Sequence, residues 1–180
     1  DCLQLGEYKV KLNHRKLLDA MMAVCGVPAE KFRTICSAID KLDKEPWEKV
    51  RIEMVQEKGL DEAVADRIKP YVTGEAAALS PYEMLAKLRG DKKLSAHKAA
   101  VKVLDELEVL FDFLKAMKCL QNISFDLSLA RGLHYYTGVI YEAMLTTEDG
   151  VGSIAAGGRY DGLIGMFSPN SIPAVGVSVG

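Results

Sequence analysis

The chain has 180 residues, of which 49% are hydrophobic and 27% charged, which indicates a folded globular protein and excludes a disordered or collagen-like one. The formal net charge of -2 at pH 7 argues against bulk electrostatic coating of nucleic acid, so any such contact must use a local patch. The four cysteines form no CxxC pair, and the sequence shows neither a run of about 18 apolar residues nor a secretion signal, so we expect no zinc site, disulfide framework or membrane span.

The first predicted elements are a strand and a helix. From Tyr8 to Leu12 the sequence YKVKL alternates apolar residues with lysine, and this period of two predicts a half-buried strand. Asn13 is expected to cap the following helix, because its side chain can accept a hydrogen bond from a free amide. Gly26 and Pro28 end that helix. Its apolar stripe comprises Leu17, Leu18, Met21, Met22 and Cys25.

Helical periodicity dominates residues 28–118, and no strand pattern interrupts it. Ser80, Pro81 and Glu83 fit a capping box with proline in the first turn. The longest helix is expected to start at Ser95. Basic and acidic residues are equal in number here, as on the solvated faces of a helical bundle. We therefore expect this stretch to form a small helical domain of its own.

Beyond residue 118 the pattern changes to that of strands. FDLSL, which begins at Phe125, alternates apolar and polar residues, and the β-branched and aromatic run VIYEAML follows it. The pair Asp149-Gly150 predicts a hairpin that makes VIYEAML and GSIAA antiparallel neighbours. The sequence stops at Gly180 within a predicted strand, AVGVSVG, so we expect it to be a segment of a longer protein.

The motif ARGLHYYTG places an arginine and two tyrosines among glycines. Arg131 carries a planar, permanently charged fork that suits a carboxylate or a phosphate, and Tyr135 and Tyr136 offer rings with hydroxyls that can fix a polar ligand group. Gly132 and Gly138 allow close backbone approach. These residue types fit the wall of a small-molecule pocket, and equally an edge strand with a surface arginine and two core tyrosines. On a fully extended strand Tyr136 points away from the other two, so a shared ligand requires a bulge.

A second motif, GSIAAGGRYDGL, packs small residues, among them Gly157 and Gly158, before Tyr160. Small residues in a strand indicate close approach by something else, either a ligand or a packed helix. The arginine–tyrosine pair that follows the glycines favours the ligand. Asp161 is expected to cap a helix that runs through Ile164.

A local excess of positive charge is the best candidate for phosphate contacts, and the alternative is an ordinary solvated lysine-rich face. The residues predicted to make these contacts are Lys87, Arg89, Lys92, Lys93 and Lys98. The three histidines show no ligand spacing, so no metal site is assigned. No Ser/His/Asp or Cys/His arrangement supports hydrolytic or thiol catalysis.

The two motifs resemble the two histidine-binding signatures of the histidyl-tRNA synthetases, which are class II aminoacyl-tRNA synthetases, and the resemblance is to the eukaryotic type. It rests on LARGLHYYTGVIYE and AAGGRYDGL, in this order and about twenty residues apart. The resemblance implies an α+β fold, in which an antiparallel class II sheet is interrupted by an all-helical insertion that approaches the tRNA acceptor arm. Residues 1–27 and 119–180 would belong to the catalytic domain, and residues 28–118 to the insertion.

The resemblance also implies roles for individual residues. Arg131 matches the arginine that touches the histidine carboxylate and the ATP α-phosphate. Tyr135 and Tyr136 match the tyrosines that line the histidine pocket. The second signature is matched by Gly157, Gly158 and Tyr160, where small residues leave room for the substrate.

The partners implied by the resemblance are histidine, tRNA and ATP as a substrate accompanied by Mg²⁺, with no protein-bound metal and no membrane. The intact protein would be a homodimer in the cytoplasm, with the mitochondrion as the alternative compartment. A non-catalytic reading stays open, namely a regulatory or interaction module such as the regulatory subunit of ATP phosphoribosyltransferase or the sensor domain of the amino-acid-starvation kinase.

Two departures from the family pattern bear on activity. His134 stands where the family usually has aspartate, which removes an anion near Arg131. The family motifs that build the dimer and bring a further ATP-binding arginine are expected before Asp1. We therefore expect the 180-residue chain alone not to complete adenylation.

Overall fold

The computed structural model describes residues 6–73, 79–131, 135–146, 152–167 and 172–180. These residues form one five-stranded sheet and seven α-helices, which confirms the predicted α+β class. The strands are β1 (Tyr8–His14), β2 (Ile123–Phe125), β3 (Val139–Leu145), β4 (Ser153–Arg159) and β5 (Val175–Val179). The helices are α1 (Arg15–Cys25), α2 (Phe32–Ile39), α3 (Trp47–Ile52), α4 (Glu62–Val72), α5 (Pro81–Gly90), α6 (Lys92–Ala96) and α7 (Lys98–Ala116).

The strands lie in the order β2-β1-β3-β4-β5. Three pairings are antiparallel, including the predicted one between β3 and β4, whose connecting residues 147–151 lie outside the described parts. The fourth, between β1 and β2, is parallel, because the chain returns to β1 through the long helical excursion rather than through a hairpin. Residues 28–118, called the helical stretch below, thus connect two segments of chain that meet at the same strand, β1.

The junction of β1 and α1 differs from the prediction that Asn13 caps the helix. His14 is the cap, and its Nδ1 accepts a hydrogen bond from the backbone N–H of Lys16 at 3.2 Å. Asn13 is buried, and its side-chain amide donates to the carbonyl of Leu129 at 2.9 Å. The asparagine therefore ties β1 to the connection that follows β2.

The helical stretch contains the predicted capping box, with Ser80 accepting from the amide of Glu83 and Glu83 accepting from the amide of Ser80. The longest helix, α7, has 19 residues and begins at Lys98 rather than at the predicted Ser95. Ser95 instead belongs to α6, and His97 separates the two helices as the cap of α7.

The predicted strand FDLSL is shorter than expected and ends at Phe125. Asp126 accepts hydrogen bonds from both the amide and the hydroxyl of Ser128, and this local turn replaces strand pairing. Leu127 and Leu129 are nevertheless buried. The apolar–polar alternation of FDLSL therefore predicted correctly which residues are buried, but the prediction of a strand beyond Phe125 was wrong.

A single hydrophobic cluster runs through the described residues. It includes Leu12, Phe125 and Ile140 from the sheet together with Met54 and Phe111 from the helical stretch. Helix α1 lies between the two parts and packs against α4, α6 and α7. No helix within the described ranges is long and apolar enough to span a membrane.

Candidate active site

Arg131 lies in the connection between β2 and β3, with its side chain 38% exposed. Its Nε donates to Oδ2 of Asp40 at 3.3 Å, and its Nη2 lies 3.6 Å from Oδ2 of Asp43. Its Nη1 donates to Oε1 of Glu142. One guanidinium therefore contacts three carboxylates, two of them from the helical stretch and one from β3.

Glu142 is the buried member of this group, with 1% of its side chain exposed. Its second oxygen, Oε2, has no hydrogen-bond partner among the residues described. Lys11 lies directly opposite on β1, and its Nζ pairs with Asp43 and, at 3.3 Å, with Asp126. Burial lowers the pKa of Lys11, but the bond to Asp43 and the charge of Asp126 outweigh it, so the pKa is raised.

Asp40 contacts two neighbouring residues at once. Its Oδ1 accepts from the backbone N–H of Ala130 at 3.4 Å, while its Oδ2 accepts from the side chain of Arg131. Burial raises the pKa of Asp40, and the opposing effects of Arg131 and the Ala130 amide do not cancel that rise. The carboxylate thus holds both the backbone and the side chain at the start of the first motif.

The tyrosines of the two motifs lie together. The rings of Tyr135 and Tyr136 meet edge to face with centroids 4.4 Å apart, and the ring of Tyr160 lies 6.3 Å from that of Tyr136. Burial and the hydrogen bond to Tyr135 raise the pKa of Tyr136 to about 12, so its phenol stays neutral at physiological pH. Tyr135 is the most accessible of the pair, at 45% exposure.

The glycines of the second motif make room for protein groups. A methyl group on Gly158 would lie 2.8 Å from the ring of Tyr136. On the neighbouring strand β5, a methyl group on Gly176 would overlap the hydroxyl of Tyr160 of the motif. A methyl group on Gly157 would overlap the carbonyl of Gly176. The close approach that these small residues predicted is therefore made by tyrosine rings and by the neighbouring strand β5, and not by a helix.

Strand register and side-chain contacts place Arg131, Tyr136 and Gly158 at one face of the sheet. Gly158 pairs with Ile140 on β3, and Glu142 lies two residues further along β3 on the same face. Tyr136 covers Gly158 and Arg131 reaches Glu142, so the arginine and this tyrosine approach the same face. Gly157 points to the opposite face, where it meets the side chain of Tyr141.

Asp161 does not cap a helix as predicted, because the short 3₁₀ turn Ile164–Met166 has Leu163 before it. Asp161 instead accepts from the hydroxyl of Thr137 at 3.0 Å and from Arg159 at 2.9 Å. It thereby links the end of the first motif to the second.

Gly132 and His134 lie outside the described residues.

Sequence reasoning missed the carboxylates around Arg131. Glu142 was detectable, because it occupies the same phase of VIYEAML as the buried Ile140. Asp40 and Asp43 carried no such signal, since they lie about 90 residues from the arginine in sequence. The spacing of the helical stretch does not reveal which of its turns reaches the sheet.

In the described part of the chain, the predicted phosphate contacts are not among the cations that pair with Asp40, Asp43 or Glu142. Lys87, Lys92 and Lys93 line a cavity of about 530 Å³, together with Arg67. Arg89 pairs instead with Asp105 and Glu108, each at 2.8 Å. Lys98 is exposed at the start of α7.

Comparison with known proteins identifies the family. The family model described as histidyl-tRNA synthetase matches residues 1–180. The chain belongs to the histidyl-tRNA synthetase family. The resemblance predicted from the two motifs is thereby confirmed.

Curated relatives of the histidyl-tRNA synthetase family match nearly the whole chain. The cytoplasmic histidine–tRNA ligase of Dictyostelium discoideum is 57% identical over 178 residues, which cover 99% of this chain and 36% of the relative. The cytoplasmic enzyme of Arabidopsis thaliana is 56% identical and is covered to 20%, and the human mitochondrial enzyme is 52% identical and is covered to 36%. The chain therefore spans about a third or less of the length of these relatives.

Solved structures agree with this assignment. Histidyl-tRNA synthetase from Nostoc sp. PCC 7120 superposes with a TM-score of 0.89 at 28% identity, covering 99% of this chain and 41% of that one. A Bacillus halodurans protein titled as an ATP phosphoribosyltransferase regulatory subunit/histidyl-tRNA synthetase gives a TM-score of 0.72 at 23% identity, covering 97% and 42%. The second likeness concerns the fold alone.

Proposed function

We propose that this chain is the histidine-binding part of a histidine–tRNA ligase, which activates histidine with ATP and transfers it to tRNA. The observation that carries the proposal is the approach of Arg131 and Tyr136 to one face of the sheet, beside Gly158. A cation and a neutral phenol that approach the same face are what a zwitterionic amino acid with a polar ring requires.

In the proposed reaction a carboxylate oxygen of histidine attacks the α-phosphorus of ATP, the bond to the β-phosphate breaks, and pyrophosphate leaves. A tRNA hydroxyl then attacks the carbonyl of the adenylate and releases AMP. Arg131 would offset the negative charge that develops at the α-phosphate. Its Nη2 is the nitrogen best placed to turn to the substrate, because the 3.6 Å contact with Asp43 is the longest of its three contacts.

The wider parts of the proposal are the substrates, the compartment and the assembly. Histidine, tRNA and ATP accompanied by Mg²⁺ would be the substrates, and two copies of the full protein would form the working unit. The cytoplasm is the proposed compartment, with mitochondrial relatives as the reason to test the alternative. Within the described residues no group of three or more His, Cys, Asp or Glu side chains has the arrangement of a metal site, and the proposal assigns no step to a protein-bound ion.

The test is histidine-dependent ATP–pyrophosphate exchange by the full-length protein that carries Arg131→Lys. Lysine keeps a cation beside Glu142 but loses the planar fork, so kcat/KM should fall about 100-fold, as when one charge-stabilising group is lost. The matched control is Arg89→Lys, which changes another arginine that pairs with two carboxylates. Exchange at the wild-type rate in Arg131→Lys would contradict the proposal.

The second candidate is a non-catalytic regulatory module, favoured by the fold shared with the Bacillus halodurans protein. The same assay separates the two functions when calorimetry is added. A ligase binds histidine and exchanges pyrophosphate, whereas a regulatory module binds histidine without exchange. Loss of histidine affinity in Arg131→Lys with no exchange in the wild type would favour the module.

A further inference from the structure

Asp40 belongs to the helical stretch and yet contacts Arg131. It opens the 3₁₀ turn Asp40–Asp43, which directly follows α2. The turn lies against the connection 126–131, where Asp40 contacts Ala130 and Arg131 and Asp43 contacts Lys11 and Arg131. The helical stretch thus supplies two of the three carboxylates around the arginine.

The geometry of Asp40 restricts the arginine in two ways. One oxygen holds the amide of Ala130, which fixes the backbone just before Arg131, and the other oxygen holds Nε, which fixes the base of the guanidinium. An arginine side chain loses much rotamer freedom when it is fixed, so an anchor that is in place before the substrate arrives removes part of the cost of binding. The Nε contact leaves the two terminal nitrogens to pair with Glu142 and Asp43.

The other two carboxylates have different surroundings. Glu142 is buried in the sheet, where its removal would disturb folding as well as the arginine. Asp43 is shared with Lys11, so its removal would disturb a second cation. Asp40 is half-buried, and its polar contacts given by the structure are those to Ala130 and Arg131. It is therefore the carboxylate whose effect on Arg131 can be isolated.

We propose that Asp40 is a positioning residue for Arg131, so that the helical stretch sets the orientation of the arginine that binds histidine. The inference rests on the proposed function of Arg131. Asp40 touches no substrate and acts through the arginine alone. Its removal lets the guanidinium sample other rotamers, which weakens histidine binding and slows adenylation.

The experiment compares Asp40→Ala, Asp40→Asn and Asp40→Glu in the full-length protein by pyrophosphate exchange. We expect Asp40→Ala to lower kcat/KM for histidine about 10-fold, mainly through KM, since small losses of positioning have effects of this order. Asp40→Asn keeps an acceptor for the Ala130 amide, so its kcat/KM should lie between the values of Asp40→Ala and the wild type. Asp40→Glu keeps the carboxylate, so its kcat/KM should be higher than that of Asp40→Ala. Asp66→Ala is the control, because Asp66 also lies in the helical stretch and pairs with an arginine, Arg51.

A double-mutant cycle shows whether Asp40 acts through Arg131. If it does, Asp40→Ala should have no further effect on KM for histidine once Arg131→Lys is present. Equal effects of Asp40→Ala in both backgrounds, or wild-type kinetics in Asp40→Ala, would overturn the positioning role and leave the proposed function intact. A harmless Arg131→Lys would overturn the proposed function, and the inference with it.

Discussion

At the scale of single residues, Arg131 and Glu142 depend on each other. The carboxylate lies inside the sheet with one oxygen unpartnered among the described residues, and the arginine is the cation that it contacts directly. A charge buried without a partner is costly. The arginine therefore stabilises the fold in addition to its proposed role in binding the substrate. Loss of activity in a variant that removes the cation is therefore ambiguous by itself.

We predict that Arg131→Met lowers the free energy of unfolding by about 3 kcal/mol, because it leaves Glu142 buried without a cation. The double variant Arg131→Met/Glu142→Met should recover most of that loss, because neither charge remains. Urea unfolding of both variants and the wild type measures the difference. Equal stability of the single variant and the wild type would show that Glu142 does not need the arginine.

The glycines of β4 offer a second prediction at the residue scale. Gly157→Ala should destabilise the protein by about 1–3 kcal/mol, because the new methyl group overlaps the carbonyl of Gly176. Gly162→Ala is the control, since among the described residues nothing lies within 4 Å of its methyl position and its φ is not positive. It should be neutral or stabilising by up to about 1 kcal/mol. Thermal unfolding of the two variants distinguishes these outcomes.

At the scale of elements, the junction of β1 and α1 shows where sequence reasoning succeeded and where it stopped. The strand, the helix and its apolar stripe were predictable from period and composition. The identity of the capping residue was not predictable. The side chain of Asn13 donates to the carbonyl of Leu129, 116 residues away in sequence, and His14 accepts the hydrogen bond from the free amide of Lys16 instead. Local preference lost to a tertiary contact.

The capping histidine gives a prediction about pH. Burial, followed by the charges of Lys16 and Arg159, lowers the pKa of His14 to about 4, while the exposed side chain of Glu106 lies 3.8 Å away. Between pH 6.5 and about 4 the unfolded chain therefore binds more protons at this site than the folded chain. The free energy of unfolding should fall as the pH falls through this window.

The variant His14→Asn keeps a good helix cap but removes the titrating group. Between pH 7 and pH 4.5 it should lose about 2 kcal/mol less stability than the wild type does. Urea unfolding at the two pH values measures this difference. Parallel losses in both proteins would assign the pH dependence to other groups.

At the scale of the whole molecule, sheet and helices share one hydrophobic cluster. The charged contacts around Arg131 add a second connection, which joins β3 to the turn Asp40–Asp43. The class of fold and both tyrosine-bearing motifs were predictable from short patterns. The ion pairs around Arg131 were not predictable, because they depend on how a stretch of about 90 residues folds back on the sheet.

We predict that the sheet and the helices unfold together. Trp47, the single tryptophan, is buried in the helical stretch and reports on it by fluorescence, whereas far-UV circular dichroism reports on the whole chain. The two urea transitions should have the same midpoint, because the cluster crosses between the parts. A separate, earlier change in fluorescence would mean that the helical stretch unfolds independently.

Strand β5 has a consequence for how the protein behaves in solution. It is the last strand of the described sheet, and Val175, Val177 and Val179 all face outward on it without a charged neighbour in the strand. An uncharged apolar strand with a free edge is a template on which another extended segment can form hydrogen bonds. Where no other part of the protein covers this edge, molecules are expected to associate through β5 at high concentration.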